Sequence, residues 1–464
     1  MISRYVPMGL LCILLFFSCN TINIKENTIE DEDPVPLLIE EFSSNPQKLL
    51  EKILELDSKY QSKYSILISR LYLSLGEYIN CEDSIQTIPQ FESSVECLEI
   101  LSICEYSQGR DATDLLEQLI ALDITNSIGN KLLINTLISS RDLENAEKIL
   151  KTYFENGGHD DFSYIALGDI ALVKVENLGL EKKKVLSSLE EKIIYGYYKD
   201  ALENYKKIES SNDPSYYVKL SNIYKKLGKR MDAVEAMSVA IQLEPQNEWN
   251  YYDRGRLYFY LDAPERAKKD FLSALNINPD HFFSNIFLGR LYFMSGENTV
   301  SKKYYLKALE ITPDYLPAYK DLSVLFMVEG DNNTGLKYLK KLYNSKSDPD
   351  ELLPLYLVDS LINNNEMKEA QNLLEKLVKY EKNSTMKRLY QYYLSPSSSG
   401  DQILNDILHL DNNTQRLRLT YYVASILERE GVKFASSSLF GEVRDSYNGF
   451  ESMLSLYKLG EINE

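Results

Sequence analysis

The 464 residues are poor in the side chains that carry chemistry: three histidines, one tryptophan and five cysteines. His159, His281 and His409 lie far apart, with no HExxH-like pairing, so a metal or general-base site would have to assemble across distant segments. The one metal-like cluster, His159-Asp160-Asp161, follows Gly157-Gly158 and reads as a solvated turn. P-loop, Gly-x-Ser-x-Gly and Gly-rich dinucleotide signatures are all missing. No catalytic residue, metal, cofactor or small-molecule substrate is therefore expected. Excess positive charge is also lacking. Lys and Arg total 51 against 69 Asp and Glu, and a net charge of −18 argues against nucleic acid or an anionic membrane surface as partner. Carboxylate pairs such as Glu40-Glu41 and Glu190-Glu191 are what solvated faces of so acidic a chain contain.

Long apolar runs are absent but for Val6 to Phe17, too short to span a bilayer as a mature helix; with Arg4 ahead of it, it suits a secretory leader. Cys12 and Cys19 belong to that leader, which leaves Cys81, Cys97 and Cys104, an odd number. Cys97 and Cys104 stand seven apart on one helix, about 10 Å along its axis, and cannot bridge. Cys81 with Cys97 stays open as a pair, beside the alternative of three buried thiols.

What the chain does have is a period. Pro245, Pro279 and Pro313 are 34 residues apart, and Tyr251, Gly255, Tyr258, Ala267, Phe271 and Ala274 recur at the same offset as Asn285, Gly289, Tyr292, Ser301, Tyr305 and Ala308. Apolar 3.6-residue periodicity runs through Tyr251 to Tyr260 and again through Pro264 to Ile277, so each unit is a helical hairpin. Gly255 and Ala267 are small where two helices must approach, Tyr258 and Phe271 fill the space beside them, and Pro279 stops the second helix. One hairpin cannot bury both its faces, so neighbours must stack. These residues resemble the tetratricopeptide repeat, which implies an all-α, right-handed superhelical solenoid, here of about nine or ten hairpins.

The frame extends both ways. Upstream, Tyr217, Leu220, Tyr224, Gly228, Ala233, Met237 and Ala240 fit, with Ser221 in the place of the packing glycine. Downstream, Tyr319, Leu322, Phe326, Gly330, Leu339 and Leu342 fit, while Gly335 at the small position of the second helix makes that copy degenerate. Turn signals at Gly76, Gly109 and Asp142, 33 apart, add three hairpins. One unit breaks the period: Tyr164, Leu167, Gly168 and Ala171 read as a first helix, but Gly196, Ala201, Tyr205 and Ile208 come about 20 residues late. The stretch 173–194, with Lys182, Lys183 and Lys184, is a lengthened hairpin or an insertion. Leu355 to Leu361 with Met367 to Val378 form another hairpin, Pro396 to Gly400 is a Ser-rich linker, and Arg416 to Phe440, turning at Gly431, a last degenerate repeat. The expected division is a leader (1–18), an acidic tether (19–36), degenerate repeats (37–160), the long unit (161–213), well-matched repeats (214–347), degenerate repeats (348–394) and a helical cap (395–464).

The leader ends in Leu15-Phe16-Phe17-Ser18-Cys19, which resembles the lipobox of bacterial lipoproteins. That resemblance implies lipidation of Cys19, a palmitate-bearing membrane anchor and a place at the cell envelope facing the periplasm or the surface; Asn20 after the cysteine favours the outer membrane. An ordinary signal peptide or an uncleaved anchor is the alternative. Asn20 to Pro36, with Glu30 to Asp33, reads as a disordered tether.

Function in such solenoids lies on the face lined by first helices, and the resemblance places there Lys219, Asn222, Trp249, Tyr252, Arg256, Phe259, Phe283, Phe287 and Arg290. Asn222 matches one element of the family's carboxylate clamp, but Val218, Asp253, Phe283 and Phe287 depart from it. An aromatic strip flanked by two arginines suits a peptide or protein with apolar anchors and an acidic or carbonyl-rich face. The expected role is a non-enzymatic scaffold assembling an envelope complex. Its rivals are an adaptor without a lipid anchor, cytoplasmic or periplasmic, and a recruiting module of an enzyme complex.

Overall fold

The structure is a computed structural model that describes residues 33–180, 186–346, 350–396, 400–446 and 450–460. Cys19 and the leader lie outside the described residues, as do Lys182, Lys183 and Lys184. Among the described residues there is no strand, and no helix is long and apolar enough to cross a membrane.

The chain divides into two compact units, Met1–Ala233 and Val234–Glu464. In the first, α1 (Val35–Phe42), α2 (Pro46–Leu54) and α3 (Ser58–Lys63) precede the hairpins α4/α5 (Ser65–Ser74, Tyr78–Gln86), α6/α7 (Val95–Ser107, Thr113–Leu122), α8/α9 (Ser127–Ser140, Leu143–Glu155) and α10/α11 (Asp161–Asn177, Ser188–Tyr205), and then α12 (Pro214–Lys226). The tether thus ends earlier than Pro36: Val35 is buried, and Pro36 sits in the first turn of α1, where its missing N–H costs nothing. The boundary between the units falls within α13 (Arg230–Leu243). The second unit continues with α14/α15 (Glu248–Tyr260, Pro264–Ile277), α16/α17 (Phe282–Met294, Asn298–Ile311), α18/α19 (Pro317–Val328, Asn332–Ser345), α20/α21 (Leu353–Asn363, Met367–Tyr380), α22/α23 (Ser384–Leu394, Gly400–Leu408), α24/α25 (Asn413–Arg429, Lys433–Ser446) and α26 (Phe450–Lys458).

One packing register recurs in eight of the hairpins. A buried first-helix residue is followed by a buried small residue 12 positions on and a large one 16 positions on, as at Gly255, Ala267 and Phe271, or Gly289, Ser301 and Tyr305. The same spacing holds for Ser69, Cys81 and Ile85; Ile134, Ala146 and Leu150; Ser221, Ala233 and Met237; Ser323, Gly335 and Leu339; Val358, Ala370 and Leu374; and Ala424, Ser436 and Phe440. Seven positions after each first residue the backbone turns left-handed, at Gly76, Arg141, Gly228, Asp262, Gly296, Gly330, Asn365 and Gly431. That conformation ends one helix and redirects the chain into the next.

The small positions are where backbones approach. A Cβ on Gly255 would lie 2.8 Å from Phe271 Cε1, and one on Gly289 would lie 2.9 Å from Tyr305 Cγ. Ser221 and Ser301 turn the same contact into a hydrogen bond, each hydroxyl donating across its hairpin, to Ala233 O at 2.9 Å and to Gly289 O at 2.7 Å. Gly335 does not mark a failed repeat: its Cα faces the Ser323 carbonyl so closely that a Cβ would stand 2.7 Å from the oxygen, a tighter approach than in the well-matched copies.

The out-of-phase unit is a lengthened hairpin. Gly168 meets Tyr205 as Gly255 meets Phe271, and its left-handed turn residue is Gly179, 11 positions on instead of seven. Four added residues are one helical turn. Accordingly α10 and α11 span 17 and 18 residues where α14 and α15 span 13 and 14. Ile208 falls past the end of α11 but is buried.

Candidate functional site

In the second unit, the first helices α14 and α16 carry most of the residues marked by the sequence. Trp249 opens α14, whose N-cap Asn247 accepts from the Trp249 N–H at 3.0 Å. The Trp249 ring is 48% exposed, and Phe283, at the matching turn of α16, is 40% exposed. Their centroids lie 6.1 Å apart and nearly edge to face, the arrangement that aromatic quadrupoles favour. Below them Tyr252 is buried, 5.6 Å from Phe283 and 5.9 Å from Phe287. Phe287 in turn stacks on Phe271 of α15 at 5.1 Å and meets Phe259 at 5.3 Å. The strip therefore has two layers: Tyr252, Phe259 and Phe287 serve hairpin packing, while Trp249 and Phe283 face outward.

Two arginines lie on this strip. Arg256 sits over the Tyr252 ring at 5.5 Å and 3.7 Å from Asp253; Arg290, exposed, lies over Phe259 at 5.5 Å. Cation–π contacts of this kind keep each guanidinium beside its ring and leave N–H groups that can still donate. The Arg256 Nε is buried with no hydrogen-bond partner among the described atoms. Arg254, two residues before Arg256, is used internally: it binds Asp270 through two bonds, at 2.8 and 2.7 Å.

His281 was not legible as part of this cluster. It is buried, its Nδ1 accepts from the Ser284 N–H at 3.2 Å as the N-cap of α16, and its ring lies 4.6 Å from Trp249. Accepting at Nδ1 places the proton of the neutral ring on Nε2, which is buried without a partner. Burial lowers the His281 pKa, against a weaker opposing pull from Glu248, so the neutral form is favoured. The signal was an oxygen-like cap at the position before a helix, a role usually assigned to Ser, Asp or Asn.

Lys219 and Asn222 lie on α12, in the first unit. Lys219 Nζ binds Asp169 Oδ2 at 2.7 Å, and Asn222, exposed, accepts from Lys225 at 2.7 Å. Lys219 is thus engaged within its own unit.

Beyond α16 the same face is occupied. Positions 34 and 69 residues after Arg290 are Val324 and Asp359, both buried. Helix α26 packs on α18, and α24 on α20. Asp359 accepts from Ser425 Oγ at 2.5 Å, Arg429 Nη1 at 2.7 Å and Tyr393 OH at 3.2 Å. Arg418 joins Asp350 at 2.8 Å to the buried Glu451 of α26 at 2.8 Å, and Lys320 pairs with the same Asp350. Burial raises the Asp350 pKa, but Lys320 and Arg418 overcome it and hold the carboxyl at about 2. Among the described residues of this unit, α14 and α16 thus keep exposed aromatics on this face, where α18 and α20 are covered.

The remaining histidines are isolated. His409 is exposed and its Nδ1 lies 2.7 Å from Asn405 O; His159 rests against Phe154 at 5.0 Å, while its neighbour Asp160 caps α10 by accepting from the Ser163 N–H. No group of three potential metal ligands occurs among the described residues.

Comparison with known proteins meets the same segments. Residues 214–247, 250–281 and 284–315 each match the tetratricopeptide repeat family. Over 204 residues the chain is 26% identical to a TPR repeat-containing protein of Methanocaldococcus jannaschii, an alignment that takes in 44% of this chain and 30% of that one. The chain thus spans under a third of that relative's length. Among solved structures it is similar to a tetratricopeptide repeat protein from Parabacteroides merdae (16% identity, 63% of this chain and 98% of that one, TM-score 0.38). It is also similar to YrrB, described as a TPR protein with an unusual peptide-binding site (17%, 44% and 95%, TM-score 0.35). The chain is an all-α protein that carries tetratricopeptide repeats.

Proposed function

We propose that the protein is a non-enzymatic scaffold that binds a peptide or partner protein over α14 and α16. The observation that carries this reading is the pairing of two exposed aromatics, Trp249 and Phe283, with two arginines laid on the rings beneath and beside them. A bulky apolar side chain of the partner covers Trp249 and Phe283, and carboxylates or backbone carbonyls meet Arg256 and Arg290. Truncating a central arginine or aromatic of such a patch costs about 2 kcal/mol, roughly thirtyfold in Kd. Photo-crosslinking from position 283 in native membranes identifies the partner, and the quenching or shift of Trp249, the chain's single tryptophan, then reports its binding directly. An unchanged Kd for Arg256→Ala/Arg290→Ala would place the ligand elsewhere.

The scaffold works, in this proposal, from a lipid on Cys19 at the cell envelope, in assembly of an envelope complex. Support comes from the apolar run Val6 to Phe17 closing on Ser18-Cys19. Several acyl chains, at about 0.8 kcal/mol per buried CH₂, give near-permanent attachment without a membrane-spanning helix. Incorporation of labelled palmitate that survives Cys19→Ala would refute the anchor.

A further inference from the structure

Cys81 lies on α5 and Cys104 on α6, neighbouring helices of successive hairpins that pack together. Both side chains are fully buried, and their Sγ atoms stand 2.9 Å apart. The pairing left open by sequence, Cys81 with Cys97, is not the close one. We propose that Cys81 and Cys104 are joined by a disulfide when the chain folds in an oxidising compartment, with Cys97 remaining a thiol. A covalent S–S bond of about 2.05 Å needs the sulfurs to close by less than about 1 Å, within the reach of side-chain rotation.

The surroundings fix the same junction. Glu82, beside Cys81, accepts from Gln108 at 2.6 Å and pairs with Arg110, which also reaches Glu105, beside Cys104, at 2.7 Å. These bonds hold α5 and the end of α6 together beside the sulfurs, in an arrangement that keeps the two sulfurs within closing distance. They also bear on timing. The hydrogen bond to Cys81, burial and the carboxylates of Glu82 and Glu105 all push the Cys104 thiol up, so folded Cys104 is a poor source of thiolate. Both sulfurs are fully buried once the helices pack, out of reach of an oxidant, so oxidation belongs to the folding chain, before α5 and α6 close. In that step one cysteine attacks a disulfide-bearing oxidant and forms a mixed disulfide; the other then displaces the carrier thiol. The two cysteines lose two protons and two electrons in total, and the oxidant leaves as two thiols.

Refolding the full chain in reduced and oxidised glutathione, followed by alkylation under denaturing conditions and non-reducing peptide mapping, tests this. The expected map links the Cys81 and Cys104 peptides and shows Cys97 alkylated; reduction lowers the melting midpoint of the N-terminal unit by several degrees. Refolding the Cys97→Ser chain gives the same cross-link. A bond that includes Cys97, or Cys81 and Cys104 both alkylated after refolding, overturns the proposal. So does a Cys97→Ser chain in which they stay reduced.

Discussion

Glycine-to-alanine substitutions at four helical positions separate close backbone approach from ordinary helix preference. Alanine in a helix interior gains about 0.5–1 kcal/mol over glycine when nothing opposes it. At Gly196 of α11 nothing lies within 4 Å of the added Cβ, so Gly196→Ala should stabilise by that amount. At Gly255 the Cβ would meet the Phe271 ring at 2.8 Å, and at Gly168 it would meet Tyr205 Cε2 at 2.3 Å. Either ring is fully buried and can shift only against its neighbours, so overpacking of about 1–3 kcal/mol outweighs the helix gain, more so at Gly168. Gly335→Ala is worse placed again, because the Cβ would press at 2.7 Å on the Ser323 carbonyl, an atom of the helix backbone that cannot rotate away. Urea titrations of the four variants should rank Gly196→Ala above wild type, then Gly255→Ala, with Gly168→Ala and Gly335→Ala lowest. If Gly335→Ala matched Gly196→Ala, the claim that α18 and α19 touch there would be wrong.

Asp359→Ala would strand the Arg429 guanidinium, leave the Ser425 hydroxyl without its acceptor and leave Tyr393 only the Tyr422 carbonyl at 3.4 Å; breaking a buried pair of this kind costs about 3–5 kcal/mol, read as a fall in the denaturation midpoint of the second unit. The folded-state pKa of His281 lies below its unfolded value near 6.5, so the stability it contributes is complete above that pH and lost as pH falls toward the lower folded value. Melting curves between pH 7.5 and about 5 should therefore show a decline that His281→Asn, which keeps a cap, makes shallower; parallel profiles would refute the assignment. Asp262, exposed at φ +55, should gain up to about 1 kcal/mol on replacement by glycine, measurable as a raised Tm.

The 34-residue recurrence of proline, glycine and aromatic residues was enough to read the hairpins at Glu248–Ile277 and Phe282–Ile311, because each contact in them is local and repeats at constant offset. Trp249 and Phe283 could be placed on one face for the same reason. The bond from Ser425 to Asp359 spans 66 residues and repeats nothing, so no periodicity announces that α24 and α26 cover the face of α18 and α20. Burial divides Tyr252 and Phe287 from Trp249 and Phe283, residues of the same chemistry, and only packing against Phe271 decides which side each takes. Gly335 is a related case: at the small position of the second helix it reads as the mark of a degenerate copy until the opposing carbonyl of Ser323 is in view.

The lengthened hairpin changes how disturbance travels along a linear stack, where each unit is held only by its own contacts and those of its two neighbours. Asp169 on α10 accepts from Tyr205 of α11 at 2.6 Å and Lys219 of α12 at 2.7 Å, while the added turn of α10 offers Glu176 and Asn177 to Arg141 of the preceding hairpin, at 3.1 and 2.6 Å. It is thereby tied on both sides more firmly than a unit held by apolar contact alone. Fraying that begins at α1 should stall on reaching it, so amide exchange would rise in a step across α10 instead of a smooth gradient, and the hairpins before it would behave as one melting block.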